Sequence, residues 1–181
     1  MKSPYFFIIK PKGDKHLSEK DFGDYSLTVN DNIDDHKYTN RIGEVVETPV
    51  GYGGIIEKGD FIVVHHNTFR DYRTQTGEYV QSQNHIKNDL FYTETPFMVI
   101  KPSRKETIGG AVFLERQESH NEIKEGLDEN VGVVAYNNKA QEEIGLSVGS
   151  KVLYKNGMNY EFDLFDKKLI KINVDDIVAK L

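Results

Sequence analysis

"KETIGGAVFLERQES", residues 105–119, decides how the second half of this chain is read. Two glycines, Gly109 and Gly110, run directly into Ala111, Val112, Phe113 and Leu114, with charged sequence on both sides. A Gly-Gly turn entering a core strand is what such a pattern most often encodes. The competing reading is an apolar segment on a tether. Glycine frees the backbone, and Val112, Phe113 and Leu114 would each contribute about 1.5–3 kcal/mol if fully buried in a partner. Taken alone, the residues favour the turn.

The rest of the sequence is built from short apolar runs: "YFFIIK" (5–10), "GEVVET" (43–48), "DFIVVHH" (60–66), "PFMVIK" (96–101), "VGVVAY" (131–136), "KVLYK" (151–155), "YEFDLF" (160–165) and "LIKINV" (169–174). All are β-branched or aromatic and bounded by Gly, Asn, Asp or Pro, which is strand chemistry. The best helical candidate, "NNKAQEEIGL" (137–146), is worth one or two turns and ends at a glycine. The chain reads as all-β, a small barrel or sandwich architecture.

Three blocks recur in the same order about 90 residues apart, the kind of period that signals repeated units. "YFFIIKPKGDK" (5–15) parallels "PFMVIKPSRKE" (96–106), "NRIGEVVE" (40–47) parallels "ENVGVVAY" (129–136), and "IIEKGDFIVVHH" (55–66) parallels "GLSVGSKVLYKN" (145–156). The expectation is two copies of one β domain, 1–95 and 96–181. Each copy then carries a long polar interval after its Lys-Pro, 12–40 in the first and about 103–128 in the second. Long intervals of this kind are usually functional or disordered. The first copy has a further stretch, "TFRDYRTQTGEYVQSQNHIK" (68–87), where the second has only "KNGMNY" (155–160).

These blocks resemble the GroES-like co-chaperonin family over the whole second half. "FMVIKP" stands where the family has its first strand, and "SRKET" leads into a Gly-Gly-apolar segment similar to the family's mobile loop. "EGLDENVGVVAY" carries the Gly-x-Val-Val signature, "IGLSVGSKVLY" has Gly149-Ser150 where Gly-Asp is usual, and "VDDIVAKL" (174–181) resembles the C-terminal ending. The first half matches more loosely, although "EKGDFIVV" (57–64) keeps the Gly-Asp pair. The resemblance implies two tandem GroES-like small β-barrels with long mobile loops, a homo-oligomeric ring, and capping of a GroEL-type chaperonin. It places the docking segment at Ile108, Gly109, Gly110, Ala111, Val112, Phe113 and Leu114. A ring would multiply weak single-loop contacts into tight binding. The competing class is a non-catalytic viral or phage assembly protein that reuses the barrel.

Composition sets further bounds. The 181 residues carry 29 acids and 23 bases, net charge −6, with no basic stripe to meet a nucleic-acid backbone. Cysteine is absent, which removes disulfides, thiolate metal sites and cysteine nucleophiles. Five consecutive apolar residues, Tyr5–Ile9, fall short of the ~7–15 of a signal peptide. No run nears the ~18 residues of a membrane span. The expected location is the cytoplasm, the host's if the protein is viral. His65, His66 and His85 lack ligand spacing for zinc. "GYGGIIEKGD" (51–60) has no following helix or Lys-Ser/Thr to hold phosphate. Arg-aromatic interleaving in "TFRDYR" (68–73) suits base stacking, but its acids favour a solvated loop. With no nucleophile motif, the expectation is a protein with no catalytic residues, no cofactor and no metal.

Overall fold

A computed structural model describes residues 2–15, 19–22, 25–28, 39–116, 130–155, 157 and 160–181. The chain divides into two compact units, the first ending at Arg104 and the second running from Lys105 to Leu181. The break falls after Arg104 rather than after Thr95, because the strand Met98–Ile100 pairs with Phe61–Val63 of the first unit.

The first unit contains β1 (Phe7–Pro11), β2 (Glu19–Phe22), β3 (Tyr25–Thr28), β4 (Ile42–Glu47), β5 (Phe61–Val63), β6 (Tyr72–Arg73), β7 (Tyr79–Val80), β8 (His85–Lys87), β9 (Leu90–Thr93) and β10 (Met98–Ile100). The second contains β11 (Lys105–Thr107), β12 (Ala111–Arg116), β13 (Val131–Tyr136), α1 (Lys139–Glu143), β14 (Lys151–Tyr154), β15 (Tyr160–Leu164), β16 (Lys167–Asn173) and β17 (Ile177–Lys180). Both units are all-β with antiparallel sheets. None of the described sheets closes into a barrel.

The main sheet of the first unit runs β10-β5-β4-β1-β9-β8, and that of the second runs β17-β14-β13-β12-β16-β15. If only the first unit's own strands in the seven-stranded sheet are counted and strands are numbered by chain order, both read 6-3-2-1-5-4. Register agrees as well as order. β1 meets β4 with Ile9 opposite Val45 and Pro11 opposite Gly43, broken by a bulge between Ile8 and Ile9. β12 meets β13 with Leu114 opposite Val134 and Arg116 opposite Gly132, broken by a bulge between Phe113 and Leu114.

The Gly-x-Val shared by residues 43–45 and 132–134 has a packing cause. A Cβ on Gly43 would lie 3.0 Å from Ile9 Cδ1 and Phe69 Cζ and 3.3 Å from the Lys10 carbonyl. A Cβ on Gly132 would lie 3.0 Å from Leu114 Cβ and Cδ1 and 3.3 Å from the Glu115 carbonyl. In each sheet only glycine lets the second strand cross this close to the first. The turn before the third strand is shared too. Gly59 and Gly149 sit at φ +90° and +86°, in the region glycine favours. Their N–H groups donate to Val45 and Val134, both at 2.8 Å, and those valines donate back to the carbonyls of Asp60 and Ser150. The carbonyl of the residue after the glycine closes the turn in both sheets, a role serine fills at 150 as aspartate does at 60.

This geometry corrects one block of the expected repeat. "FMVIKP" carries β10, which pairs with β5 of the first unit. By pairing, the counterpart of "FIIKP" in β1 is "AVFLER" in β12, each flanked by strands two and five of its sheet. Lys-Pro in both earlier blocks is a local likeness between strands in different places.

In the second unit one face of the sheet buries Val112, Leu114, Val134, Leu146, Val152, Tyr154, Ile170 and Ile172 in a single cluster, with Val174 and Ile177 against it. The opposite face of β12 is covered as well. Phe113 meets Phe162 edge to face at 5.2 Å, and Phe162 meets Tyr160 at 4.7 Å. In the first unit Ile9, Ile62, Val63, Phe69 and Phe91 are inaccessible or nearly so, with Phe69 and Phe91 edge to face at 5.1 Å.

Candidate functional site

The segment expected to dock a partner begins at a turn. Gly109 adopts φ +60°, and the Ala111 N–H donates to the Ile108 carbonyl at 3.2 Å. The turn is held from outside by the start of α1. Asn138 and Gln141 form a capping box, the Asn side chain accepting from the Gln141 N–H and the Gln side chain from the Asn138 N–H. The same two residues reach the turn. Asn138 Nδ2 donates to the Gly109 carbonyl at 2.9 Å, and Gln141 Nε2 donates to the Ala111 carbonyl at 3.0 Å and to the Gly109 carbonyl at 3.3 Å. Thr107 Oγ1 donates to Gln141 Oε1, the Thr107 N–H donates to the Asn137 carbonyl, and the Val174 N–H donates to the Gly110 carbonyl at 2.7 Å. The turn's carbonyls therefore have fixed donors inside the unit, which leaves little for a partner to satisfy.

Beyond the turn, Ala111, Val112, Phe113 and Leu114 form β12 between β13 and β16, and the last three have no exposed surface. Ile108 is half-buried; Gly109 and Gly110 are exposed. The segment expected to dock, Ile108–Leu114, is thus a turn followed by a wall strand. Apolar residues alternating between two faces, each met by buried neighbours, make a wall strand. Removing them to a partner groove would open the core. The remainder of the expected loop, 117–128, lies outside the described residues, as does most of 12–40.

A second constellation escaped the sequence reading. Asp71, in the stretch taken for a solvated loop, is wholly buried. Lys15 Nζ contacts its Oδ2 at 2.6 Å, the Tyr79 hydroxyl donates a short bond to the same oxygen, and the Ser82 N–H donates to Oδ1 at 3.0 Å. Ser82 Oγ donates to the Asn67 and Thr68 carbonyls at 2.8 and 2.9 Å. One carboxylate thus ties residues 66–82 to the beginning of the long connection after β1. Burial and then Asp71, by hydrogen bond and by charge, raise the Tyr79 phenol to about 12. Nothing in the local sequence distinguishes Asp71 from a surface acid. Gln141 was more accessible to reasoning, because Asn-x-x-Gln before α1 is a capping pattern.

The other sequence candidates stay structural. His65 and His66 do not diverge as strand neighbours would. They cap and begin a 3-10 turn with rings 4.2 Å apart, and His65 Nδ1 accepts from the Asn67 N–H. Among the described residues no group of three His, Asp or Glu side chains could hold a metal ion, and no helix is long and apolar enough to cross a membrane. Asp175 and Asp176 lie in the 3-10 turn before β17, where the Asp176 carbonyl accepts from the Lys155 N–H.

Fold and turn together define a class: a small antiparallel β domain with Gly-x-Val packing and a left-handed glycine turn before its third strand. Residues 98–181 match the model of the family described as the chaperonin 10 Kd subunit. Such a domain suggests a co-chaperonin role and accords with a protein that is not an enzyme. No curated protein matches the chain.

Proposed function

We propose that the chain is a non-enzymatic co-chaperonin with GroES-like domains in both halves, assembling into a homo-oligomeric ring that caps a GroEL-type chaperonin during ATP-dependent folding. The observation that carries this reading is the common 6-3-2-1-5-4 strand order, with the second unit lying inside the matched residues and most of the first, up to Phe97, outside them. Matching bulges and matching glycine contacts support descent of both units from one domain. Docking falls to surface other than β12, and a ring makes several weak contacts act as one tight one. The setting is the cytoplasm, the host's if the chain is viral.

Native mass spectrometry of the chain alone and with a GroEL-type chaperonin in ATP, ADP and nucleotide-free buffer tests the proposal. A discrete oligomer that joins the chaperonin in at least one nucleotide state is expected. Absence of association in every state overturns the capping role. A ring that forms but never binds would favour an assembly protein, a reading supported by the elaborated stretch around Asp71 that the second unit lacks.

A further inference from the structure

Beside its apolar core the first unit buries a set of polar side chains, Thr39, Asn40, Thr68, Asp71 and Ser82. They belong to two pieces of chain, the base of the connection between β1 and β4 and the stretch from 66 to 82. Asn40 closes the first piece. Its N–H donates to the Lys15 carbonyl at 2.8 Å, and its Nδ2 donates to the Lys12 and Asp14 carbonyls at 2.8 and 2.9 Å. Its Oδ1 accepts from the Ile42 N–H at 2.9 Å. Residues 12–15 and 40–42 are thus held as one. Ser82 closes the second piece through its bonds to the Asn67 and Thr68 carbonyls. The pairing of β6 with β7, Arg73 opposite Tyr79, returns the Tyr79 hydroxyl to Asp71.

The Asp71 carboxylate joins the two pieces. Lys15 reaches it from the first, and Tyr79 and the Ser82 N–H reach it from the second. Apolar contacts can slide, but a wholly buried carboxylate that loses a charged partner is left at high cost until water reaches it. The junction is therefore either closed or open. Opening does not require the sheet to part. The Lys15 side chain keeps 26% of its surface exposed and Tyr79 keeps 56%, so both can swing to solvent while Ile9, Ile62 and Phe91 stay covered. Such an opening lies below global unfolding in free energy.

We propose that Asp71 is a latch that couples the base of the β1–β4 connection to the 66–82 stretch, so that release of either piece loosens the other. Coupling of this kind is reciprocal, and a contact made at one piece is felt at the other. The inference is independent of chaperonin binding, since it rests on bonds within the first unit.

Amide hydrogen exchange of the full chain, followed residue by residue in NMR spectra, tests it. Lys15→Met removes the ammonium and keeps an apolar stem beside the Phe91 ring, which lies 5.8 Å from Lys15 Nζ. It is expected to speed exchange of the Thr68, Phe69 and Ser82 amides about fivefold or more. Tyr79→Phe removes one hydroxyl at an exposed position and is expected to speed exchange of the Lys12, Asn40 and Ile42 amides by a similar factor. The double variant is expected to fall short of the product of the two single effects, because both act on one carboxylate. Amides of β1 and β5 are expected to exchange as in the parent. Acceleration confined to the substituted piece overturns the proposal. So do single effects that multiply in the double variant, or acceleration shared equally by β1 and β5, the mark of global unfolding.

Discussion

Leu114→Ala separates a wall strand from a docking segment. Leu114 has no exposed surface, lies in the cluster with Val134, Val152, Tyr154 and Ile170, and its Cβ and Cδ1 face Gly132. Leucine-to-alanine changes in such sites cost about 2–5 kcal/mol, the transfer loss plus the cavity left behind. At ~0.05–0.15 kcal/mol per residue, a unit spanning Lys105–Leu181 holds roughly 4–12 kcal/mol in total. The substitution therefore removes a large share of the stability of the second unit. With a urea slope of about 1 kcal/mol/M for a unit of this size, the midpoint falls by about 2 M or more. Urea unfolding read by hydrogen exchange and mass spectrometry reports β12, β13 and β16 peptides separately from those of the first unit. Arg116→Ala, at an exposed position, is the control and is expected to stay within about 0.5 kcal/mol of the parent. Equal midpoints for Leu114→Ala and the parent would refute the placement of β12 in the core.

Other outcomes follow from the same contacts. Gly132→Ala is expected to cost more than Gly43→Ala. The new methyl meets the rigid Leu114 Cβ in the first case and the ends of Ile9 and Phe69 in the second, and overpacking costs about 1–3 kcal/mol; denaturation of the two variants checks the order. Gln141→Ala removes the capping box and the donors to Gly109 and Ala111, so faster exchange in residues 107–111 and a loss of about 1–3 kcal/mol are expected. Tyr79 is expected to ionise near 12, later than an ordinary tyrosine, and its contribution to stability, full below pH ~10, is lost as pH rises through 10 to 12. Alkaline difference absorbance of the parent against Tyr79→Phe checks it; a missing component with an ordinary pKa contradicts the bond to Asp71.

The strands were legible because their chemistry is local. Short β-branched and aromatic runs between turn residues do not make amphipathic helices, and the short helix α1 fell inside "NNKAQEEIGL", the best helical candidate. The Gly-x-Val pair was legible for the same reason: a close strand crossing favours glycine, and the preference leaves a mark at 43 and 132. The "FMVIKP" likeness misled because two strands of similar composition can occupy the sixth and first places of a sheet, and composition does not specify a pairing partner.

By itself the sequence determined an all-β chain, a relation between Gly-x-Val blocks in its two halves, and a Gly-Gly turn opening "AVFLER". Only tertiary structure decided what that turn serves. Burial on both faces of β12, by Leu114's cluster and by Phe162, makes it a wall, because alternation along a strand fixes which residues share a face but not whether anything covers it. The same holds for Asp71: its acidity is in the sequence, while its burial depends on Lys15, Tyr79 and Ser82, which other parts of the chain bring to it.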